Sequence, residues 1–140
     1  MIDVENGNIT MDNNSFVIRK GLTKDEFKKS ELFEEVLNEQ VHTFTNYYLK
    51  PQLLGEESFS ISLFFDSNEI INFLQISMIK DGIPSWDNWS EKQEQRRKAE
   101  HDQWLKMNIG KPPYKYSWGE ISSNYDPRSG SSMITIRYSS

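Results

Sequence analysis

S-F-S-I-S-L-F-F, from Ser58 to Phe65, alternates almost perfectly between polar and apolar residues. A β-strand points successive side chains to opposite faces. Phe59, Ile61, Leu63 and Phe65 therefore share one side, and Ser58, Ser60 and Ser62 the other. That is the pattern of a half-buried antiparallel strand. Asp66-Ser67-Asn68 comes next, with turn chemistry. Glu69 to Ile79 then carries apolar residues on both faces, which predicts a central strand covered on both sides and paired with the first as a hairpin.

Outward from this hairpin the signals stay mostly β. Val41 to Leu49 is rich in Thr, Phe and Tyr, which favour strands. Pro51 confines the residues after it to an edge or a loop. At the start of the chain, Ile2-Val4, Ile9-Met11 and Phe16-Ile18 are short apolar stretches separated by E-N-G-N and D-N-N-S turns, a small meander. The period changes between Leu22 and Leu37. Thr23 and Glu26 make a capping box, Phe27, Leu32, Phe33, Val36 and Leu37 recur at helical spacing, and Ser30 can cap a second turn. Two short helices or one broken helix are expected there, lying as a lid on a sheet.

The clearest helix opens at Ser90 with S-E-K-Q and ends at Gly110 before Pro112-Pro113. His101, Trp104, Leu105 and Asn108 form its stripe, with Ala99 and Met107 at the margin. Gln93 to Lys98 is polar nearly all round, so the first two turns are expected to project into solvent. Tyr114 to Glu120 and Met133 to Tyr138, joined across Asp126-Pro127-Arg128-Ser129-Gly130, read as a terminal hairpin. The order βββ-α-βββ-α-ββ gives an α+β fold, a mostly antiparallel sheet with helices on one face.

The 140 residues are expected to form a single domain, 1–140. Aromatic residues make up 13% of the chain. That supplies a core despite a mean hydropathy of −0.72, since disordered chains are poor in aromatics. There is no cysteine, so disulfide and thiolate chemistry are excluded. No apolar run reaches the ~20 residues of a membrane helix. The first residues lack the basic start and apolar stretch of a signal peptide, and a cytoplasmic location is expected. A net charge of −5 opposes general nucleic-acid binding, which needs a cationic face.

No pattern of catalysis stands out. His101 and Asp102 are helical neighbours about 100° apart, so the carboxylate does not orient the ring, and His101 reads as structural. His42 lies far off on a β segment, with no metal-ligand spacing between the two. Asp81, Asp87, Glu91, Glu94, Glu100, Asp102, Glu120 and Asp126 read as solvated surface. The serines lack a G-x-S-x-G elbow, and no glycine-rich phosphate loop occurs. Lys92, Arg96, Arg97 and Lys98 alternate with acids and read as a solvated, ion-paired helix face. No metal, cofactor or catalytic residue is expected. Trp104, Tyr114, Tyr116, Trp118 and Tyr125 read as core or loop anchors. Trp86 and Trp89, in a loop before the helix, are the best candidates for partial exposure, where they would serve as interface anchors.

G-L-T-K-D-E-F-K-K-S-E-L (Gly21–Leu32), W-D-N-W-S-E (Trp86–Glu91), H-D-Q-W-L (His101–Leu105) and P-P-Y-K-Y-S-W-G-E-I-S-S-N-Y-D-P-R-S-G (Pro112–Gly130) together resemble a family of small stand-alone uncharacterised bacterial proteins. The resemblance implies a cytosolic, single-domain bacterial protein and transfers no activity. In general character the chain is similar to immunity proteins of bacterial toxin systems: small, acidic and free of cysteine. The expected function is binding of a protein partner, a basic toxin domain, by a monomer or dimer. The expected face comprises Trp86, Asp87, Trp89, Glu91, Glu94 and Asp102. The alternatives are a structural or accessory subunit, which would expose an apolar edge strand and self-associate, and a small enzyme using His101 and carboxylates.

Overall fold

The computed structural model describes residues 1–79 and 90–139. Two short strands, β1 (Ile9–Thr10) and β2 (Val17–Ile18), pair near the start of the chain, with a single bridge from Ile2 to Ile9. The expected three-stranded meander is reduced to this because the apolar stretches are too short to sustain a ladder. Helix α1 (Lys24–Lys28) carries the anticipated capping box, Thr23 with Glu26. A 3₁₀ helix (Glu31–Glu35) succeeds Ser30, whose hydroxyl bonds back to the Phe27 carbonyl instead of capping the new turn.

The helical pattern stops earlier than the sequence predicts. Val36 and Leu37 begin strand β3 (Val36–Val41), which pairs with β4 (Thr45–Leu49). Strand β5 (Gln52–Leu54) lies beyond Pro51 and pairs only with β6 (Glu57–Phe65), and β7 (Ile71–Met78) completes the hairpin around Asp66-Ser67-Asn68. After α2 (Glu91–Ile109) come β8 (Lys115–Tyr116), β9 (Gly119–Asp126) and β10 (Ser131–Tyr138). The eight-stranded sheet runs β3-β4-β6-β7-β10-β9-β8, with β5 off this path, and every pairing is antiparallel. The class is α+β, as expected.

The pairing register sorts side chains into rows that cross the sheet. Tyr47, Leu63, Leu74, Ile136 and Ile121 form one row, and Ile61, Ile76 and Ile134 the next. These rows are buried. Phe27 packs on Tyr47 and Phe65, Phe33 on Tyr47, and Trp104 of α2 on Phe59. Both helices thus share one face of the sheet. The first residues close the far end. The Trp118 indole N–H donates to the Val4 carbonyl at 2.8 Å and the Tyr138 hydroxyl to the Gly7 carbonyl at 2.9 Å. Gly7 adopts φ +79°, and a Cβ there would lie 2.5 Å from the Trp118 ring. At roughly 25 cal/mol per Å² of apolar area removed from water, the buried layer is the main source of stability.

The other face of β7 corrects an expectation. Its strand is central, between β6 and β10, but Asn72, Phe73, Gln75 and Ser77 are only half-buried. Among the described residues, no element packs on that side.

Candidate functional site

The structure describes three of the six residues expected to face a partner, Glu91, Glu94 and Asp102. Trp86, Asp87 and Trp89 lie outside the described residues. Glu91 is exposed in the first turn of α2, where the positive end of the helix favours a carboxylate. Asp102 is exposed three turns further and pairs with Lys98 at 2.8 Å. Partial burial raises its pKa, but the Lys98 and Ser123 side chains outweigh that and hold the carboxyl below its ordinary range.

Glu94 is the correction. It is 4% exposed, and the first two turns of α2 do not project freely into solvent. One carboxylate oxygen accepts the Ser132 N–H at 2.9 Å, the other pairs with Arg97, and the Ser132 hydroxyl donates to the Glu94 carbonyl. His101 does the corresponding work on the neighbouring strand. It is fully buried, and its Nε2 accepts the Met78 N–H at 2.9 Å.

The two contacts have one cause. The β7–β10 ladder begins at Ile76 and Ile134, so beyond that point the strand ends part. Their freed backbone donors are taken by Glu94 and His101, seven residues apart and on one side of the helix. Ser77 bridges the same gap by donating its hydroxyl to the Ser132 carbonyl at 3.0 Å. Burial, then the charge of Arg97, depress the His101 pKa to about 4; nearby Asp102 opposes this and Lys98 adds to it. The ring is neutral and accepts a hydrogen bond in a structural position, so it is not presented to a substrate. His42 is exposed in the β3–β4 turn. A cleft of about 640 Å³ beside Asp102, lined among others by Lys98, Lys106, Tyr114 and Ser123, contains neither histidine. Among the described residues no three His, Asp or Glu side chains converge as a metal site, and no helix is long and apolar enough to cross a membrane.

The uncovered side of the sheet is the feature that sequence reasoning missed. One row runs Asn38, Tyr48, Ser62, Gln75, Thr135, Ser122 across six strands. The next runs Gln40, Asn46, Phe64, Phe73, Arg137, Glu120. Phe64 and Phe73 stack at 4.3 Å, Phe44 meets Phe73 edge-on at 5.6 Å, and the Arg137 guanidinium lies 4.7 Å over the Phe73 ring. Charged residues are 26% of the chain, yet within these two rows charge is confined to Arg137 and Glu120 at one end. The outward serines of Ser58–Phe65 were the available signal, but they fix only the direction of those side chains. The charge depletion emerges when five other strands are aligned beside them.

The sheet ends in an acidic corner. Between Ser30 and Leu49 there is no Lys or Arg, while Glu31, Glu34, Glu35 and Glu39 fall there. Strand β3 is the edge of the sheet among the described residues, and on it Leu37 is 55% and Val41 69% exposed. Compared with protein-family models, with curated proteins and with solved structures, the chain finds no match.

Proposed function

We propose that the chain is a non-enzymatic, cytoplasmic bacterial binding protein of the immunity type, which neutralises a basic toxin domain by tight association. The observation that carries this reading is the composition of the open sheet face. The cores of protein interfaces are depleted in Lys, Glu and Asp and enriched in aromatic residues and Arg. The two rows have that character, with Tyr48, Phe64, Phe73 and Arg137 supplying anchors and serines, asparagines and glutamines supplying hydrogen bonds. The acidic corner at Glu31–Glu39 lies at the β3 end of the sheet, and a negative field there speeds capture of a cationic partner.

The test is affinity capture from the organism's lysate, with mass spectrometry of the proteins that survive a high-salt wash, repeated with Gln75→Lys. Gln75 sits in the middle of a row on the open face and is half-buried, where a substitution changes folding by about 0.5 kcal/mol. The native chain retains a basic effector domain and the variant does not. Equal retention by both would remove the sheet face from the reading. A second reading, an accessory subunit of a bacterial assembly, is favoured by the exposed apolar edge of β3.

A further inference from the structure

We infer that copies of this chain associate head to tail, with strand β3 of one copy adding to the free edge of β9 in the next. The inference is independent of the partner face proposed above, which lies on the open side of the sheet and not on its edges.

The β9 edge is only partly covered. Strand β8 pairs with it at Gly119 and Glu120, and the Ile121 N–H donates to the Tyr114 carbonyl at 2.9 Å. Beyond that bond no described strand lies alongside. The Trp118 carbonyl accepts from Ser139 on the β10 side, so even-numbered residues of β9 face β10. By the alternation of antiparallel strands, Ser123 and Tyr125 turn their N–H and C=O groups outward. At the opposite edge, the His42 N–H donates inward to the Phe44 carbonyl at 3.0 Å. The same alternation turns Glu39 and Val41 outward. Each edge thus offers two residues, two apart, whose backbone groups find no partner among the described residues. Strands in this condition are templates for further pairing.

The two edges fit in direction, face and register. Six strands, β3-β4-β6-β7-β10-β9, alternate in direction. A second copy continuing the sheet in the same orientation therefore brings β3 antiparallel to β9. Setting Glu39 opposite Tyr125 places Val41 opposite Ser123, and both outward pairs close at once. In that register Glu39, Val41, Ser123 and Tyr125 all project to the helix-covered face, which continues unbroken from copy to copy. The charges do not oppose this pairing. The β3 corner is purely acidic, whereas the β9 edge is mixed: Lys98, Lys106 and Lys115 line the cleft beside Ser123 together with Asp102 and Glu120, and Arg128 pairs with Asp126. Pairing of β3 with another β3 would instead bring two sets of Glu31, Glu34, Glu35 and Glu39 together, and like charges in an interface oppose association.

The experiment is sedimentation velocity on three samples: the native chain, Val41→Pro and Ser123→Pro. Each proline removes one outward N–H and no bond within the sheet, and melting temperatures verify folding. The native chain is expected to form species that grow with concentration beyond the 16.5 kDa monomer. Each variant alone is expected to be monomeric, and a 1:1 mixture to form a dimer that grows no further, since one copy keeps its β3 edge and the other its β9 edge. A native chain that stays monomeric at its solubility limit overturns the inference. So does assembly that Ser123→Pro leaves intact, which is the mark of β3 pairing with itself. Should a proline unfold the chain, Val41→Lys and Lys98→Glu serve in the same design.

Discussion

Protonation of His101 should make this protein lose stability in mild acid, well above the pH at which carboxylates titrate. The folded chain keeps His101 neutral down to about pH 4, because burial, then Arg97, disfavour the imidazolium. The unfolded chain takes up that proton near pH 6.5. Protons therefore bind the unfolded state first, and stability is complete above about 6.5 and declines as pH falls toward 4. At about 1.4 kcal/mol per pH unit over that interval, the loss comes to about 3 kcal/mol. For 140 residues this corresponds to about 10 °C in melting temperature. Urea titrations at half-unit steps from pH 7.5 to 4.5 measure it. Asp102 and Asp126 are held below their ordinary range, so their contributions are lost below this window and do not mimic it. His101→Gln supplies the control. Its amide oxygen replaces Nε2 as acceptor for the Met78 N–H but cannot ionise, so the slope should vanish at a cost of about 1 kcal/mol at pH 7. A native slope that survives in His101→Gln would refute the assignment of His101 as a neutral structural acceptor.

Three further outcomes rest on the packing. Glu94→Ala frees the Ser132 N–H and leaves Arg97, whose side chain is 12% exposed, without its counter-ion; calorimetry should show a loss of about 3–5 kcal/mol. Gly7→Ala forces a side chain into a left-handed conformation and against Trp118 at 2.5 Å, and thermal melts should show about 2 kcal/mol or more of destabilisation. Thr23→Ala removes the hydroxyl that accepts the Glu26 N–H at 3.1 Å, and the same melts should register about 1 kcal/mol.

The strands are legible in the sequence wherever one face is buried and the other wet. Ser58–Phe65 fulfils its alternation residue by residue, because burial of one side is what alternation encodes. The boundaries of α2 are legible for a different reason. Ser90 accepts the Gln93 N–H, and Gly110 ends the helix at φ +91°, both local devices that need no partner. Val36 and Leu37 mislead because their spacing continues a helical series, and only the ladder to β4 makes them a strand. The covering of β7 is misread from Phe73, whose apolar neighbours are Phe64 and Phe44 on an open sheet. A cross-strand aromatic cluster and a second packed layer leave the same trace in a single strand.

Glu94 shows why the candidate surface is harder to read than the fold. In sequence it belongs to a run of charges at helical spacing, and nothing local separates it from Glu91 or Glu100. Its burial is a consequence of the parting of β7 and β10, and its partner Ser132 lies 38 positions away. The same event gives the fold its one-sided form. With Glu94 and His101 occupying the freed donors of both strands, α2 is fastened across the sheet's centre by polar contacts as well as by Trp104 and Leu105. Both helices are then committed to one face, and among the described residues the other face and the outer edge of β3 are left open. A surface defined by what does not cover it has no motif. It emerges from six strands in register, whose hydroxyls, amides and rings read one strand at a time as ordinary residues of a strand.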